Sequence, residues 1–211
     1  MSALRDTFDR PLRNLRLSVT DRCNLRCGYC MPEETYTWLP KRDLLTFEES
    51  TALVAALAPL GVEKVRLTGG EPLLRRDVTR LVASLAGLGT LSDIALTTNA
   101  VLLDELARPL RDAGLGRVTV SLDTLRPDRF RDLTRRDDLE RTIGGIDAAA
   151  EAGFGETKLN VVVMRDVNDD ELLDLLDFAR ERDLEVRFIE QMAFTGTPTG
   201  CGEGTRPVVT S

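Results

Sequence analysis

Apolar positions recur along the chain with two different periods. Segments in which apolar and polar residues alternate, or in which apolar residues dominate, predict six strands, at 15–20, 62–68, 94–99, 117–123, 158–164 and 185–190. Between these segments, leucine, valine, isoleucine and alanine return every three or four residues, which is typical of amphipathic helices. The pattern therefore predicts strands and helices in regular alternation.

The ends of several predicted helices carry their own signals. Thr46 followed by Glu49 has the form of a capping box, in which each side chain satisfies a free backbone amide at the helix start. Asn168 followed by Glu171 suggests a second helix start of the same kind. Pro127 suits the first turn of a short helix, since its missing amide hydrogen has no partner there in any case.

Strands separated by single helices pair in parallel through right-handed crossovers. A closed barrel of this type needs eight strands, so six predict an α/β fold that is a partial (β/α)6 TIM-like barrel, open on one side. No linker interrupts the pattern. We therefore predict an N-terminal arm over 1–13, one core domain over 14–192, and an irregular tail rich in Gly, Thr and Pro over 193–211.

Composition excludes several classes of protein. The 211 residues are 42% hydrophobic and 30% charged, with a net charge of -7. This balance is globular and lacks the basic excess of a nucleic-acid-binding protein, although local arginines could hold a small anionic substrate. No apolar run is long enough to cross a membrane, and there is no signal peptide. We expect a cytoplasmic protein with neither a nucleic acid nor a membrane as its partner.

Three of the four cysteines fall in one short stretch. Cys23, Cys27 and Cys30 have the spacing C-x-x-x-C-x-x-C, whereas Cys201 lies far away. Three clustered thiols without an export signal argue against disulfides. Structural zinc takes four ligands, usually Cys or His, and the chain has no histidine. A four-iron cluster with three cysteine ligands keeps one iron open. We favour the cluster over zinc because this spacing, with Tyr29 before the third cysteine, resembles the radical S-adenosylmethionine superfamily.

Further polar residues follow the predicted strands. Gly69, Gly70 and Glu71 come directly after the second strand, while Ser121, Asp123 and Asn99 occupy equivalent places at the ends of other strands. Glycines allow close backbone approach, and a carboxylate can accept hydrogen bonds from a ligand ammonium group. Each residue alone could equally make a turn or cap a loop. Because parallel strands place their carboxyl ends at one face of a barrel, we expect these residues to lie beside the cysteine loop.

Seven stretches together resemble the GTP 3′,8-cyclases of molybdenum cofactor biosynthesis, a family within that superfamily. The resemblance runs from about residue 10 to residue 192 and is carried by LRLSVTDRCN (15–24), LLTF (44–47), RLTGGEPL (66–73), LTTN (96–99), VSLD (120–123), KLNVV (158–162) and RFIE (187–190). These stretches include the cysteine loop and most of the predicted strands.

The resemblance implies a chemistry and a set of site residues. Members use a [4Fe-4S] cluster and S-adenosylmethionine to generate a 5′-deoxyadenosyl radical, which starts the cyclisation of GTP to (8S)-3′,8-cyclo-7,8-dihydroguanosine 5′-triphosphate. No protein side chain is then expected to be catalytic, because the cofactor delivers the radical. By the resemblance, the metal ligands are Cys23, Cys27 and Cys30; the cofactor contacts are Tyr29, Gly69, Gly70, Glu71, Ser121 and Met192; and the GTP contacts are Arg16, Arg66, Thr97 and Lys158.

The resemblance also implies partners. These are GTP, a flavodoxin-like or ferredoxin-like electron donor, and a cyclic pyranopterin monophosphate synthase that acts on the product. A homodimer is a further expectation.

The chain departs from the family in two places. Family members continue past this chain into a region with a second three-cysteine cluster, so we expect a truncated form in which Cys201 is not a ligand. Ala100 stands where the family typically has glycine. Two other functions stay open: a different radical S-adenosylmethionine enzyme, such as a peptide-modifying one, and a non-catalytic metal-binding fragment.

Overall fold

The computed structural model describes residues 4–33 and 35–192. The predicted tail and Cys201 lie outside these residues. The strands are β1 Asn14–Ser18, β2 Lys64–Thr68, β3 Asp93–Thr98, β4 Arg117–Ser121, β5 Lys158–Val163 and β6 Glu185–Glu190. The helices are α1 Phe47–Leu57, α2 Val78–Ala86, α3 Leu103–Asp112, α4 Pro127–Thr134, α5 Leu139–Glu151 and α6 Leu172–Glu181.

The six strands form one sheet in the order β1-β2-β3-β4-β5-β6, and every pair is parallel. Each strand thus pairs with its neighbour in sequence, and within the described residues β1 and β6 are the two edges. The prediction of a partial (β/α)6 barrel is confirmed. The division into an arm, a core domain and a tail stays a prediction.

The two faces of the sheet differ sharply in polarity. Leu67, Leu96 and Val118 are fully buried on the side covered by the helices. The residues one position before them, including Arg66, point to the opposite side and line a polar cavity. Register places Arg16 beside Arg66 and Leu17 beside Leu67, so neighbouring strands present the same polarity on the same face. The interior of the barrel is therefore polar while the helix-covered side is the hydrophobic core.

All three predicted helix starts lie at the predicted positions, but one of them lacks the predicted side-chain cap. Thr46 and Glu49 form the reciprocal capping box of α1, and Pro127 is the first residue of α4. Asn168 caps nothing with its side chain. Its amide instead donates to the carbonyl oxygens of Asp123 and Val162, and its side-chain oxygen accepts from the amide of Met164. Asn168 is buried between strand ends, so these tertiary partners replace the capping contact.

Ala100 adopts a left-handed backbone conformation with φ of 63°. That region favours glycine, because a Cβ atom crowds the following carbonyl at a cost of roughly 1–2 kcal/mol. The structure thus explains why glycine suits this position in related sequences and why alanine is strained there.

Among residues 4–33 and 35–192, no helix combines the length and the apolar character needed to cross a membrane.

Candidate active site

The cysteine loop follows β1 and is fastened on two sides by backbone hydrogen bonds. The amides of Gly70 and Glu71 donate to the carbonyl oxygens of Thr20 and Arg22, at 2.8 and 2.7 Å. On the other side, loop amides at positions 26 and 28 donate to carbonyl oxygens at positions 134 and 133, at the end of α4. The loop is therefore held between the β2 turn and α4 independently of its own side chains.

The two glycines after β2 are required by this close approach. A Cβ atom on Gly70 would lie 2.3 Å from the carbonyl oxygen of Arg22, and one on Gly69 would lie 2.5 Å from that of Thr20. No side chain fits at such distances. These glycines thus allow the β2 turn to pack directly against the start of the cysteine loop.

Glu71 is almost completely buried, and its carboxylate is used inside the protein. It accepts hydrogen bonds from the amide of Leu73 at 2.9 Å, the hydroxyl of Thr98 at 2.8 Å and the amide of Asn99 at 2.7 Å. Burial raises the pKa of Glu71, and these donors partly offset that effect. The carboxylate therefore ties the ends of β2 and β3 together next to the cysteine loop.

A cavity of about 260 Å³ opens above the loop. Its walls come from the loop and from the carboxyl ends of β3, β4 and β5. The site residues that the sequence predicted here and that do line it are Cys23, Cys27, Cys30, Tyr29, Gly70, Glu71, Ser121 and Thr97. Gly69 and Met192 are not among its lining residues, and Met192 is 67% exposed just beyond β6.

Tyr29 is fixed by a buried carboxylate from the opposite wall. Its hydroxyl donates to Asp123 Oδ2 at 2.6 Å, and Asp123 Oδ1 accepts from the amide of Val162 at 2.8 Å. Burial raises the pKa of Asp123 to about 6, although both hydrogen bonds act in the opposite direction. Burial also raises the pKa of Tyr29. The contact joins the middle of the cysteine loop to β4 and β5.

The three thiols are in an environment that disfavours the free thiolate. Burial raises the pKa of Cys27 to about 12, with the negative charge of Asp123 as the next cause. Burial also raises the pKa values of Cys23 and Cys30. Metal binding here must displace protons and provide its own positive charge, as thiolate ligation by iron does.

The donor atoms that line this cavity include three thiols, from Cys23, Cys27 and Cys30. A closed structural zinc site takes four ligands, usually Cys or His, and the chain has no histidine. Zinc requires its thiolates about 2.3 Å from one centre, whereas a cluster of several irons distributes its thiolate ligands over its corners. Three cysteines around one cavity fit a cluster better than zinc.

A second cavity, of about 380 Å³, lies on the polar side of the sheet. Cationic side chains dominate it, and Arg66 is central. The Arg66 guanidinium donates to the hydroxyls of Thr97 and Thr119, at 3.1 and 3.0 Å. The cationic residues of its lining are Arg16, Lys64, Arg66, Arg117 and Arg187.

These cations repel one another. Burial lowers the pKa of Arg66, and the charges of Arg117 and Arg16 lower it further. Arg117 is neutralised by a two-pronged contact with Asp93. Thr97 lines both cavities, so the cationic one adjoins the one above the cysteine loop. An anion of high charge would relieve this repulsion.

Comparison with known proteins identifies the family. The model of the radical SAM superfamily matches residues 17–179, which is more than half of the chain. The chain belongs to the radical SAM superfamily.

Curated relatives of this radical SAM chain are GTP 3′,8-cyclases. That of Acidothermus cellulolyticus is 57% identical over 194 residues, covering 90% of this chain and 54% of the relative. GTP 3′,8-cyclase 3 of Mycobacterium tuberculosis is 52% identical over 199 residues, covering 92% and 53%. The enzyme of Listeria monocytogenes is 45% identical over 210 residues, covering 100% and 63%. The chain spans about half the length of the first two.

Solved structures agree on the radical SAM fold. Streptococcus suis SuiB superposes with a TM-score of 0.70 at 22% identity, covering 87% of this chain and 41% of SuiB. The enzyme anSMEcpe with bound AdoMet gives a TM-score of 0.69 at 19% identity, covering 87% and 50%. At these identities the likeness concerns the fold alone.

Three of the four predicted substrate residues of this radical SAM chain line the cationic cavity, and the fourth does not. Arg16, Arg66 and Thr97 share the cationic cavity. Lys158 is not among its lining residues, because its ammonium group forms an ion pair with Glu185 on β6.

Sequence reasoning missed several residues of the site. Lys64 and Arg187, which line the cationic cavity, were not predicted. Asp123 was predicted as a strand-end residue, but its hydrogen bond with Tyr29 was not. The alternation of β2 offered a signal for Lys64, which lies two positions before Arg66 and thus on the same face. Nothing in the sequence pairs Asp123 with Tyr29, since 94 positions separate them.

Proposed function

We propose that this chain is the cofactor-binding and phosphate-binding core of a GTP 3′,8-cyclase acting in molybdenum cofactor biosynthesis. Its product would be (8S)-3′,8-cyclo-7,8-dihydroguanosine 5′-triphosphate. Support comes from the 45–57% identity to curated proteins of that name and from the two adjoining cavities. The relatives are about twice as long, so the activity of the whole protein belongs to this proposal.

Cys23, Cys27 and Cys30 are the proposed ligands of a [4Fe-4S] cluster. With S-adenosylmethionine on its open iron, such a cluster supplies a 5′-deoxyadenosyl radical by one-electron cleavage. The loop is already braced through the β2 turn and the end of α4, so the protein would hold the thiols ready without reorganisation. Tyr29, Gly70 and Ser121 line the same cavity and are the proposed contacts to the cofactor.

The remaining predicted cofactor residues have other surroundings. Gly69 and Glu71 pack and tie the β2 turn, so we assign them the role of placing Gly70 and the loop. Met192 is exposed at the end of β6, where a long ligand could still reach it.

The convergence of five cationic residues on one cavity is the observation that carries the substrate assignment. Arg16 lies beside Arg66 in the register of β1 and β2; burial lowers the pKa of Arg66, and the charges of Arg117 and Arg16 lower it further. Folding such a cluster costs free energy unless an anion compensates it, and a triphosphate carries the required charge. Guanidinium groups also match phosphate geometry with two parallel hydrogen bonds. A peptide substrate would not need this concentration of cations, which favours a nucleotide over the peptide-modifying alternative.

Thr97 indicates how a nucleotide would be oriented between the two cavities. It lines both cavities, so a nucleotide with its phosphates among the cations would place its sugar near the cofactor cavity. Lys158 joins the set in this proposal once its ion pair with Glu185 opens.

Nucleotide binding to the 211-residue chain tests the assignment. Calorimetry should detect GTP binding that Arg66→Ala weakens by about tenfold or more, since a hydrogen bond to a charged group is worth roughly 1.5–3 kcal/mol. Arg108→Ala is the matched control, because Arg108 is an exposed arginine on α3 paired with Asp112. Equal affinities for the parent chain and Arg66→Ala would remove the substrate assignment.

Partners and location complete the proposal. We include a flavodoxin-like or ferredoxin-like electron donor, a cyclic pyranopterin monophosphate synthase acting on the product, a homodimer, and the cytoplasm as the compartment. The net charge of -7 supports a partner set without nucleic acid.

A further inference from the structure

Four arginines surround the cysteine loop, and we call them the arginine patch: Arg22, Arg26, Arg135 and Arg136. Arg26 donates to the carbonyl oxygens of Cys23 and Leu25, at 2.6 and 2.8 Å. Arg136 donates to the carbonyl of Asn24 at 3.2 Å, and Arg135 to that of Pro32 at 3.1 Å. Arg22 lies inside the motif with an exposed side chain. The patch is therefore part of the same loop that presents the three thiols.

Among residues 4–33 and 35–192, no carboxylate pairs with an arginine of the patch, whereas most other exposed arginines there do pair with one. Neutral carbonyls accept from Arg26, Arg135 and Arg136, and Arg26 also lies over the rings of Tyr36 and Trp38. None of these partners carries a negative charge.

The nearby carboxylates are engaged elsewhere. Asp21 turns inward, with Oδ1 buried and Oδ2 accepting from the amide of Leu39 at 2.6 Å. Asp137 contacts Arg131, and Asp138 pairs with Arg141. The four positive charges thus exceed the three negative charges that the sequence places in this stretch, at 21, 33 and 34.

Arg135 has a backbone conformation that glycine or asparagine adopts at a lower free-energy cost. It caps the end of α4 with φ of 55°, a left-handed conformation that favours glycine or asparagine. Its side chain is exposed. A positive charge at this point is thus present despite the backbone cost.

We propose that the arginine patch is the docking surface for an acidic one-electron carrier protein that reduces the cluster. This inference rests on the proposed function, in which the cluster must take one electron from outside the protein while the carrier loses one. Cys30 is the exposed cysteine of the three, and Arg26 and Arg136 bind carbonyl oxygens of the same loop, so the patch lies on the loop that would bring the cluster nearest to solvent. A positive surface on a chain of net charge -7 selects an acidic partner and speeds its approach.

The test uses the reconstituted protein and reduced flavodoxin, an acidic one-electron carrier. Arg22→Glu combined with Arg135→Glu should slow bleaching of the cluster by reduced flavodoxin about tenfold or more at low salt. The difference should shrink at high salt, since the Debye length falls to about 3 Å at 1 M. Arg180→Glu on α6, beside the opposite edge strand, is the matched control and should leave the rate unchanged.

A second reductant separates docking from damage to the loop. Reduced methyl viologen is a small cation and needs no docking surface, so the double variant should accept its electron at least as fast as the parent. Titration with oxidised flavodoxin, followed by calorimetry, should show weaker binding to the double variant. These measurements need no nucleotide. The docking proposal can therefore be refuted while the proposed substrate still holds, and the substrate can be refuted while the docking proposal still holds.

Three outcomes would overturn the proposal. One is an unchanged flavodoxin rate in a double variant that retains its iron. Another is an equally slowed reduction of the cluster by methyl viologen, which would mean that the arginines only stabilise the loop structure. The third is a change in sedimentation without a change in the flavodoxin rate, which would make the patch a contact between two copies of this chain.

Discussion

The two cavities of this barrel are built on opposite principles. The one above the cysteine loop is satisfied internally, since Glu71, Asp123 and the β2 turn each have their hydrogen bonds within the protein. The other concentrates cations that repel one another, with Arg66 at their centre. The hydrogen bonds of the first are thus complete within the protein, while the charges of the second call for an anion. The difference fits the proposed function, in which the first cavity would hold a resident cofactor and the second would bind the substrate.

The largest expected effect concerns the thiols of the first cavity. Anaerobic reconstitution should give about four irons per chain, and Cys23→Ala, Cys27→Ala or Cys30→Ala should each abolish iron binding. Cys201→Ala should leave the iron content intact. Iron and sulfide analysis decides the matter, and loss of iron in Cys201→Ala would contradict a cluster with three cysteine ligands.

The second effect tests whether close packing prepares the loop. Gly70→Ala would place a methyl group 2.3 Å from the carbonyl oxygen of Arg22, so we expect it to lower the free energy of unfolding by about 3 kcal/mol. Gly28→Ala is the matched control, because nothing lies within 4 Å of a Cβ atom there. Chemical denaturation of the apo forms measures both. Similar stabilities for the two variants would show that the β2 turn can move away.

The third effect is a pH dependence from Asp123, whose pKa is about 6 in the folded chain and 3.8 ordinarily. Because the folded pKa is raised, the stability from the protonated carboxyl is complete below about pH 3.8 and is lost as pH rises through about 6. The loss reaches about 3 kcal/mol. The stability of Asp123→Asn relative to the parent should therefore rise by up to that amount between pH 4 and pH 7, as denaturation of the apo forms at several pH values would measure.

The variant Tyr29→Phe gives a second test of the pH dependence that we assign to Asp123. The Tyr29 hydroxyl lowers the pKa of Asp123 through its hydrogen bond, so its removal should extend the loss of stability to higher pH. Parallel stability curves for the parent and Asp123→Asn would mean that the carboxyl is not buried as described.

The smallest effect belongs to the cationic cavity. Glu185 pairs with both Lys158 and Arg187, and it lies partly exposed, where an ion pair is worth roughly 0.2–1 kcal/mol. Glu185→Gln should release both cations and tighten GTP binding by about two- to fivefold. Glu181→Gln on α6 is the control. Weaker binding of GTP to Glu185→Gln would indicate that Glu185 itself orients the cations.

The sequence predicted what depends on neighbours in the chain. The cysteine loop, the glycines after β2 and the capping box of Thr46 are local patterns, and alternation revealed the strands. It also indicated the fold, because a parallel sheet follows from single helices between strands.

What depends on long-range placement was not predictable. Tyr29 meets Asp123 only after four strands are aligned, and Lys158 meets Glu185 through the register of β5 and β6. Asn168 does precede the helical turn that leads into α6, but its side chain binds tertiary partners and does not make the predicted capping contact.

The strictly sequential strand order has a consequence for how the protein is assembled. Each new strand can pair with the one made just before it, so the sheet can grow from its first edge during synthesis, one helical connection at a time. The cysteine loop is an exception. Its anchors at 133 and 134, and Asp123, emerge long after the thiols themselves. The ribosome must therefore release the chain as far as residue 134 before the thiols can be locked in place, and iron insertion should follow that step.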